Sequence, residues 1–108
     1  MLEYDHIGIP IQFKKEGMIY FPDYKLWTSD YKKSQYGIEW IYFEKGSPLH
    51  PHIQKMAHVC FIVPDIQKAI HGKKILLEPC VYEYEYMAFI EDHDGAVIEF
   101  LQPRGIHK

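Results

Sequence analysis

The most constraining feature of this sequence is that its second half echoes its first. Near the N-terminus stands Asp5-His6-Ile7-Gly8-Ile9-Pro10, and in the middle stands Ala57-His58-Val59-Cys60-Phe61-Ile62-Val63-Pro64. In each, a histidine leads an apolar run that ends at a proline. A second echo follows: Gly37-Ile38-Glu39-Trp40-Ile41 matches Val97-Ile98-Glu99-Phe100-Leu101, a glutamate embedded in a β-branched and aromatic run. The order is His, Glu, His, Glu. His58 follows His6 by 52 residues and Glu99 follows Glu39 by 60, so the first copy is about eight residues shorter between its landmarks. A repeat of this length implies two related supersecondary units that bury their apolar faces together.

The local patterns fit that division. Ala57 to Val63 predicts a strand buried on both faces. Asp65 is the natural N-cap of a short helix over Ile66 to His71, closed by Gly72. Lys74 to Leu77 predicts a short strand punctuated by Pro79. Tyr84 to Glu91 and Ala96 to Leu101 predict a hairpin joined by Asp92-His93-Asp94-Gly95. The second half thus reads β-α-β-β-β. In the first half, Glu3 to Ile9, Tyr24 to Thr28 and Ile38 to Phe43 predict strands. Phe13 to Met18 predicts a helical turn or two weakened by Gly17, and Ser29 to Tyr36 reads as a loop or a poor strand. Ser47 to Met56, with Pro48 and Pro51, connects the halves and is too short for an interdomain linker. The expectation is one α+β domain over residues 1–108, with half-units at about 1–50 and 57–103.

Composition removes several classes of function. The net charge is −3, and the lysine pairs Lys14-Lys15, Lys32-Lys33 and Lys73-Lys74 form no basic stripe, so no nucleic-acid partner is expected. No apolar run approaches the length that crosses a bilayer, and Met1 to Asp5 lacks the regions of a signal peptide. Two cysteines in apolar strands, Cys60 and Cys80, predict buried thiols in a reducing, cytoplasmic compartment rather than a disulfide. Aromatic residues reach 16%, with nine tyrosines, suiting either half-exposed sheets or strands along a wet cavity. Tyr82-Glu83-Tyr84-Glu85-Tyr86 alternates strictly and predicts a strand with three tyrosines on one face, against the core or along a substrate groove.

Histidine is the commonest metal ligand, and carboxylate oxygens suit hard and borderline divalent ions. Two neutral imidazoles with two carboxylates carry a formal charge of about −2, which a divalent cation neutralises. Alternation alone allows Glu39 or Glu99 to face water, and a lone histidine at a strand start, such as His6, is commonly a satisfied polar residue. The doubled order is what singles out His6, Glu39, His58 and Glu99. The remaining histidines read otherwise: His50 and His52 as connector residues, His71 at a helix end, His93 solvated in the hairpin turn and His107 in a mobile tail.

Four groups of residues carry a wider resemblance: Asp5-His6-Ile7-Gly8-Ile9; Ile38-Glu39-Trp40-Ile41 with Ser47-Pro48-Leu49; His58-Val59 through Val63-Pro64-Asp65-Ile66 with Ala69-Ile70; and Ala88-Phe89-Ile90 through Gly95-Ala96-Val97-Ile98-Glu99-Phe100. Across essentially the whole chain they resemble the vicinal oxygen chelate superfamily, which includes glyoxalase I, methylmalonyl-CoA epimerase, extradiol dioxygenases and bleomycin-resistance proteins. The resemblance implies a pair of βαβββ modules, the first shortened just before Glu39, in a curled mixed sheet around a central groove. It implies a divalent metal ion (zinc, nickel, cobalt, manganese or iron) held by His6, Glu39, His58 and Glu99. It further implies a lyase or isomerase reaction on a small oxygen-chelating substrate through a metal-stabilised enolate, with Glu99 or Glu39 as base, in a homodimer. A non-catalytic small-molecule-binding protein of the same fold and an iron-dependent dioxygenase are the alternatives.

Overall fold

In the computed structural model, which describes residues 2–105, the two echoing histidine segments lie side by side. Strand β1 (Glu3–Pro10) pairs antiparallel with β5 (His58–Ile62), so that Gly8 faces His58 and His6 faces Cys60. The first half adds β2 (Ile19–Phe21), β3 (Leu26–Thr28) and β4 (Ile38–Phe43). The second adds helix α2 (Ile66–Ile70) and strands β6 (Lys74–Tyr82), β7 (Glu85–Glu91) and β8 (Val97–Pro103). A short helix, α1 (Pro51–Lys55), joins the halves. All eight strands form one curled mixed sheet in the order β2-β3-β4-β1-β5-β8-β7-β6, which reads alike from either end. The α+β fold and the curled sheet are those the sequence implies.

Strand register establishes the repeat residue by residue. In the parallel pair β1/β4, Gly8 stands opposite Glu39; in the parallel pair β5/β8, Cys60 stands opposite Glu99. The offsets between these equivalents are again 52 and 60. Pairing also locates the missing residues. Thr28 opposes Ile41 as Met87 opposes Leu101, an offset of 59 already at β3. Nearly all the shortening therefore lies upstream of Leu26, not just before Glu39 as the sequence suggested.

What has been lost there is the helix. Phe13 to Met18 forms no helical turn; it is an irregular segment with Gly17 at φ 82° and Phe13 82% exposed. Lys14-Lys15-Glu16 offers no apolar pair at helical spacing to bind a sheet. Instead the Lys14 and Lys15 ammonium groups lie 4.3 and 5.0 Å from the ring centres of Trp27 and Trp40. In the second half, α2 is present because Asp65 caps it, Oδ1 accepting from Lys68 N–H, and because Ile66 and Ile70 bury one face. They join Val63, Ala88, Ile90 and Phe100 in a core behind the sheet. A larger core fills the concave side, where Ile53 of α1 meets Leu26, Ile41, Phe89 and Leu101.

Three further expectations are corrected. The Tyr82–Tyr86 run is not one strand: Tyr82 ends β6, Glu83 turns at φ 55°, and Glu85 begins β7. Strand β6 continues through Pro79, tolerated because β6 is the sheet edge and its register shifts on either side of Leu77. His50-Pro51-His52 is more than connector: His50 caps α1, its Nδ1 accepting from His52 N–H, with proline at the first helical position. Cys60 is fully buried while Cys80 is only half-buried, and both are free thiols. His107 lies outside the described residues. Among the described residues no helix is long and apolar enough to cross a membrane.

Ile90 is 1% exposed and sits under α2. Ile90→Ala is expected to cost about 2–5 kcal/mol of stability in urea unfolding, against about 0.5 kcal/mol or less for the exposed Ile19→Ala.

Candidate metal centre

The same strand pairings that define the repeat put four ionisable side chains on the concave face at the centre of the sheet. His6 is 2% exposed, His58 3%, Glu99 4% and Glu39 8%. The apolar residues around them explain why each strand forms, but burial of four such groups demands compensation. The residues satisfy one another only in part. His58 Nε2 stands 3.0 Å from Glu99 Oε1. His6 Nε2 lies 3.5 Å from a carboxylate oxygen of both Glu39 and Glu99, the outer limit of a hydrogen bond, and makes none. His58 Nδ1 is likewise buried without a partner.

The geometry tests whether an ion fits. Ligand atoms about 2.0–2.2 Å from a shared metal are separated by about 2.8–3.6 Å at right-angled to tetrahedral spacing. The His–Glu contacts of 3.0, 3.5 and 3.5 Å fall in that range. Ligand-type atoms of His6, Glu39 and His58 also all lie within 4.8 Å of one another. Chemistry agrees with spacing, since two imidazoles and two carboxylates form a donor set for a divalent ion.

Neighbours that the sequence reading passed over orient the cluster. Asp5 Oδ2 accepts from His6 Nδ1–H at 2.8 Å, which turns Nε2 toward the glutamates. Tyr31, in a 3-10 turn over Tyr31–Lys33, stacks on the His6 ring at 4.0 Å. Phe89 meets the His58 ring edge-on at 4.9 Å. Asp5 was legible as a carboxylate adjacent to a candidate ligand; Tyr31 lay in the stretch read as loop and carried no signal. Gly8 matters through what it lacks. A Cβ there would stand 2.3 Å from His58 Cε1 and 2.6 Å from Nε2. A bare backbone at this point is what admits the His58 ring.

Electrostatics follow from the packing. Burial acts to lower the His6 pKa, but the carboxylates of Glu39 and Glu99 outweigh it and push it up to about 10. Burial acts to raise Glu99, but the hydrogen bond from His58 and the nearby His6 imidazole hold it down at about 2. Glu39 is raised, by burial first and by the Glu99 charge, with His6 opposing. The carboxylate that both imidazoles approach is held down, and the one approached by His6 alone among the described residues is pushed up.

The groove opens on one side of the cluster into a cavity of about 350 Å³ reached by His6, Glu39 and Glu99 and walled by Tyr31 and Tyr82. A chain of similar shape is methylmalonyl-CoA epimerase from Mycobacterium tuberculosis, with a TM-score of 0.61 at 17% identity over 94% of this chain and 87% of that one. The fold is the vicinal oxygen chelate fold. Weaker structural matches include a glyoxalase family protein from Bacillus cereus (TM-score 0.42, 16% identity, 97% and 96% covered). Another is a glyoxalase/bleomycin resistance protein/dioxygenase superfamily member from Vibrio splendidus 12B01 (0.42, 17%, 81% and 79%). No protein-family model matches the sequence, and no curated protein does.

Two outcomes are expected. Gly8→Ala should displace the His58 ring, visible as shifted imidazole resonances, and weaken divalent-metal affinity at least about tenfold. In metal-free protein, the stability given by raised His6 is complete below pH 6.5 and lost as pH climbs through 10. That given by depressed Glu99 is present above pH 4.5 and lost as pH falls through 2. Raised Glu39 takes stability away as pH rises above 4.5, which steepens the decline toward alkaline pH. Chelator-treated protein should therefore be most stable between about pH 4.5 and 6.5, with Tm falling toward pH 10. A Tm that is flat or rising across pH 6.5–10 contradicts the paired cluster.

Proposed function

We propose that His6, Glu39, His58 and Glu99 hold one divalent metal ion, and that the protein is a metal-dependent lyase or isomerase acting on a small substrate that chelates through two oxygens. The observation that carries this reading is the buried, unpartnered Nε2 of His6, facing two buried carboxylates at the head of an open cavity. Such an ion, when bound, supplies positive charge to polarise a substrate oxygen and lower the cost of removing a proton from the adjacent carbon.

The chain's own residues divide the remaining work. Asp5 keeps the His6 proton on Nδ1, so that Nε2 presents a lone pair. Glu99 Oε1 is approached by both imidazoles, at 3.0 and 3.5 Å, which anchors it. Among the described residues Glu39 is approached within 4 Å only by His6, at 3.5 Å, and it reaches the same cavity. Glu39 is therefore the carboxylate freer to swing and to take a proton from substrate, while Glu99 stays in place. Tyr31 and Tyr82 wall the cavity and exclude water from one side of the reacting carbon.

Protein purified without a histidine tag should carry about one divalent ion per chain by elemental analysis. Glu99→Ala should lose it, and Glu39→Gln should retain it in part while abolishing turnover. Wild-type protein that is metal-free yet folded, with affinity for added zinc, nickel, cobalt, manganese and iron(II) no better than that of Glu99→Ala, would overturn the reading. A loaded protein that binds substrate-like chelators without turnover would leave the metal site standing and make the protein a binder.

A further inference from the structure

Beside the metal cluster, the cavity contains a charge that the proposed chemistry does not use. Its mouth lies between two turns. One is the 3-10 turn carrying Asp30, Tyr31 and Lys32; the other is the β6–β7 hairpin carrying Glu83, Tyr84 and Glu85. Asp30 is spent locally, its Oδ1 accepting from Lys32 N–H. Glu85 is not. It is half-buried at the start of β7, and among the described residues its carboxylate makes no hydrogen bond or ion pair. The charges around it repel more than they attract: Asp5, Glu83 and Glu99 push its carboxyl up after burial does, and only Lys32 opposes them. Arg104 is turned away, donating to the Glu83 carbonyl and lying over Tyr86.

A half-buried carboxylate with no partner is an unmet demand for a cation. A divalent ion at the inner cluster would neutralise Glu39 and Glu99. Asp30, Glu83 and Glu85 against Lys32 would still leave the mouth with a net charge of −2. The buried His6 Nε2, without a hydrogen-bond partner, and Glu85 line the same cavity. We propose that Glu85 is a specificity-determining residue that receives a positively charged group, an ammonium or guanidinium, of a substrate whose oxygen pair binds at the cluster. This rests on the metal-dependent reading above for the oxygen end, and on Glu85 alone for the cationic end. The acidic mouth equally disfavours polyanionic substrates such as acyl thioesters of phosphorylated carriers.

The test uses three hydroxamates of similar reach on zinc-loaded protein by calorimetry: 3-aminopropanohydroxamate (cationic), butyrohydroxamate (neutral) and succinate monohydroxamate (anionic). The cationic probe should bind about tenfold more tightly than the neutral one and the anionic probe most weakly, with the spread narrowing as salt is raised. Glu85→Gln should bring the cationic-to-neutral ratio to within about twofold of one, whereas Glu78→Gln, on the exposed side of β6, should leave it as in wild type. A wild-type preference for the neutral or anionic probe, or a preference that survives Glu85→Gln, would overturn the proposal. A second arm separates it from the metal reading: on chelator-treated protein, propylammonium should shift cavity resonances and propionate should not. If no hydroxamate binds but that discrimination persists and depends on Glu85, the metal site is wrong and the cation site stands. If propylammonium and propionate act alike, the cation site is wrong.

Discussion

Two carboxylates are buried against two imidazoles at the centre of one sheet, and the rest of the structure is arranged around that arrangement. Each of these groups would be costly to bury alone. They are brought together by the antiparallel pairing of β1 with β5, flanked on each side by a parallel partner, β4 and β8. Because Gly8 opposes Glu39 as Cys60 opposes Glu99, a single local symmetry places both glutamates on the same face. A slip of one residue in either parallel pair would turn its glutamate to the opposite face and leave the histidines unmatched.

The symmetry is broken where the cluster needs it to be. At one of the two equivalent positions stands Gly8, whose missing side chain makes room for the His58 ring; at the other stands Cys60, beside His6. Asp5 orients His6, and no corresponding carboxylate precedes His58, where the sequence has Ala57. Outside the centre, the halves differ more. The second keeps α2 over a closed apolar core, while the first drops its helix and shields two tryptophans with lysine side chains. The cluster is thus built on strand pairings that both halves keep, and the lost helix lies away from it.

Much of this was legible in the chain. The paired His and Glu segments, the Asp65-capped helix and the Asp-Gly hairpin carry strong local signals, and they name the four residues that meet. Other features were not legible, for physical reasons. Alternation in Tyr82–Tyr86 is the pattern of a strand, yet Glu83 takes a left-handed turn there because β6 and β7 must reverse to pair. Strand β2 is three residues long and exists only through its pairing with β3. Tyr31 reaches His6 from a segment without periodicity, and Glu85 acquires its position from the same unforeseen turn. Contacts made by tertiary placement leave no trace in residue spacing.

The central claim is that the four buried groups are one coordination sphere and not a self-sufficient ion-pair cluster. X-ray absorption at the zinc edge of protein loaded with one equivalent of zinc tests it most directly. The account predicts a shell of nitrogen and oxygen only, at about 2.0–2.2 Å, with the multiple-scattering signature of two imidazoles. A single imidazole, or a sulfur at about 2.3 Å from Cys60, would contradict it.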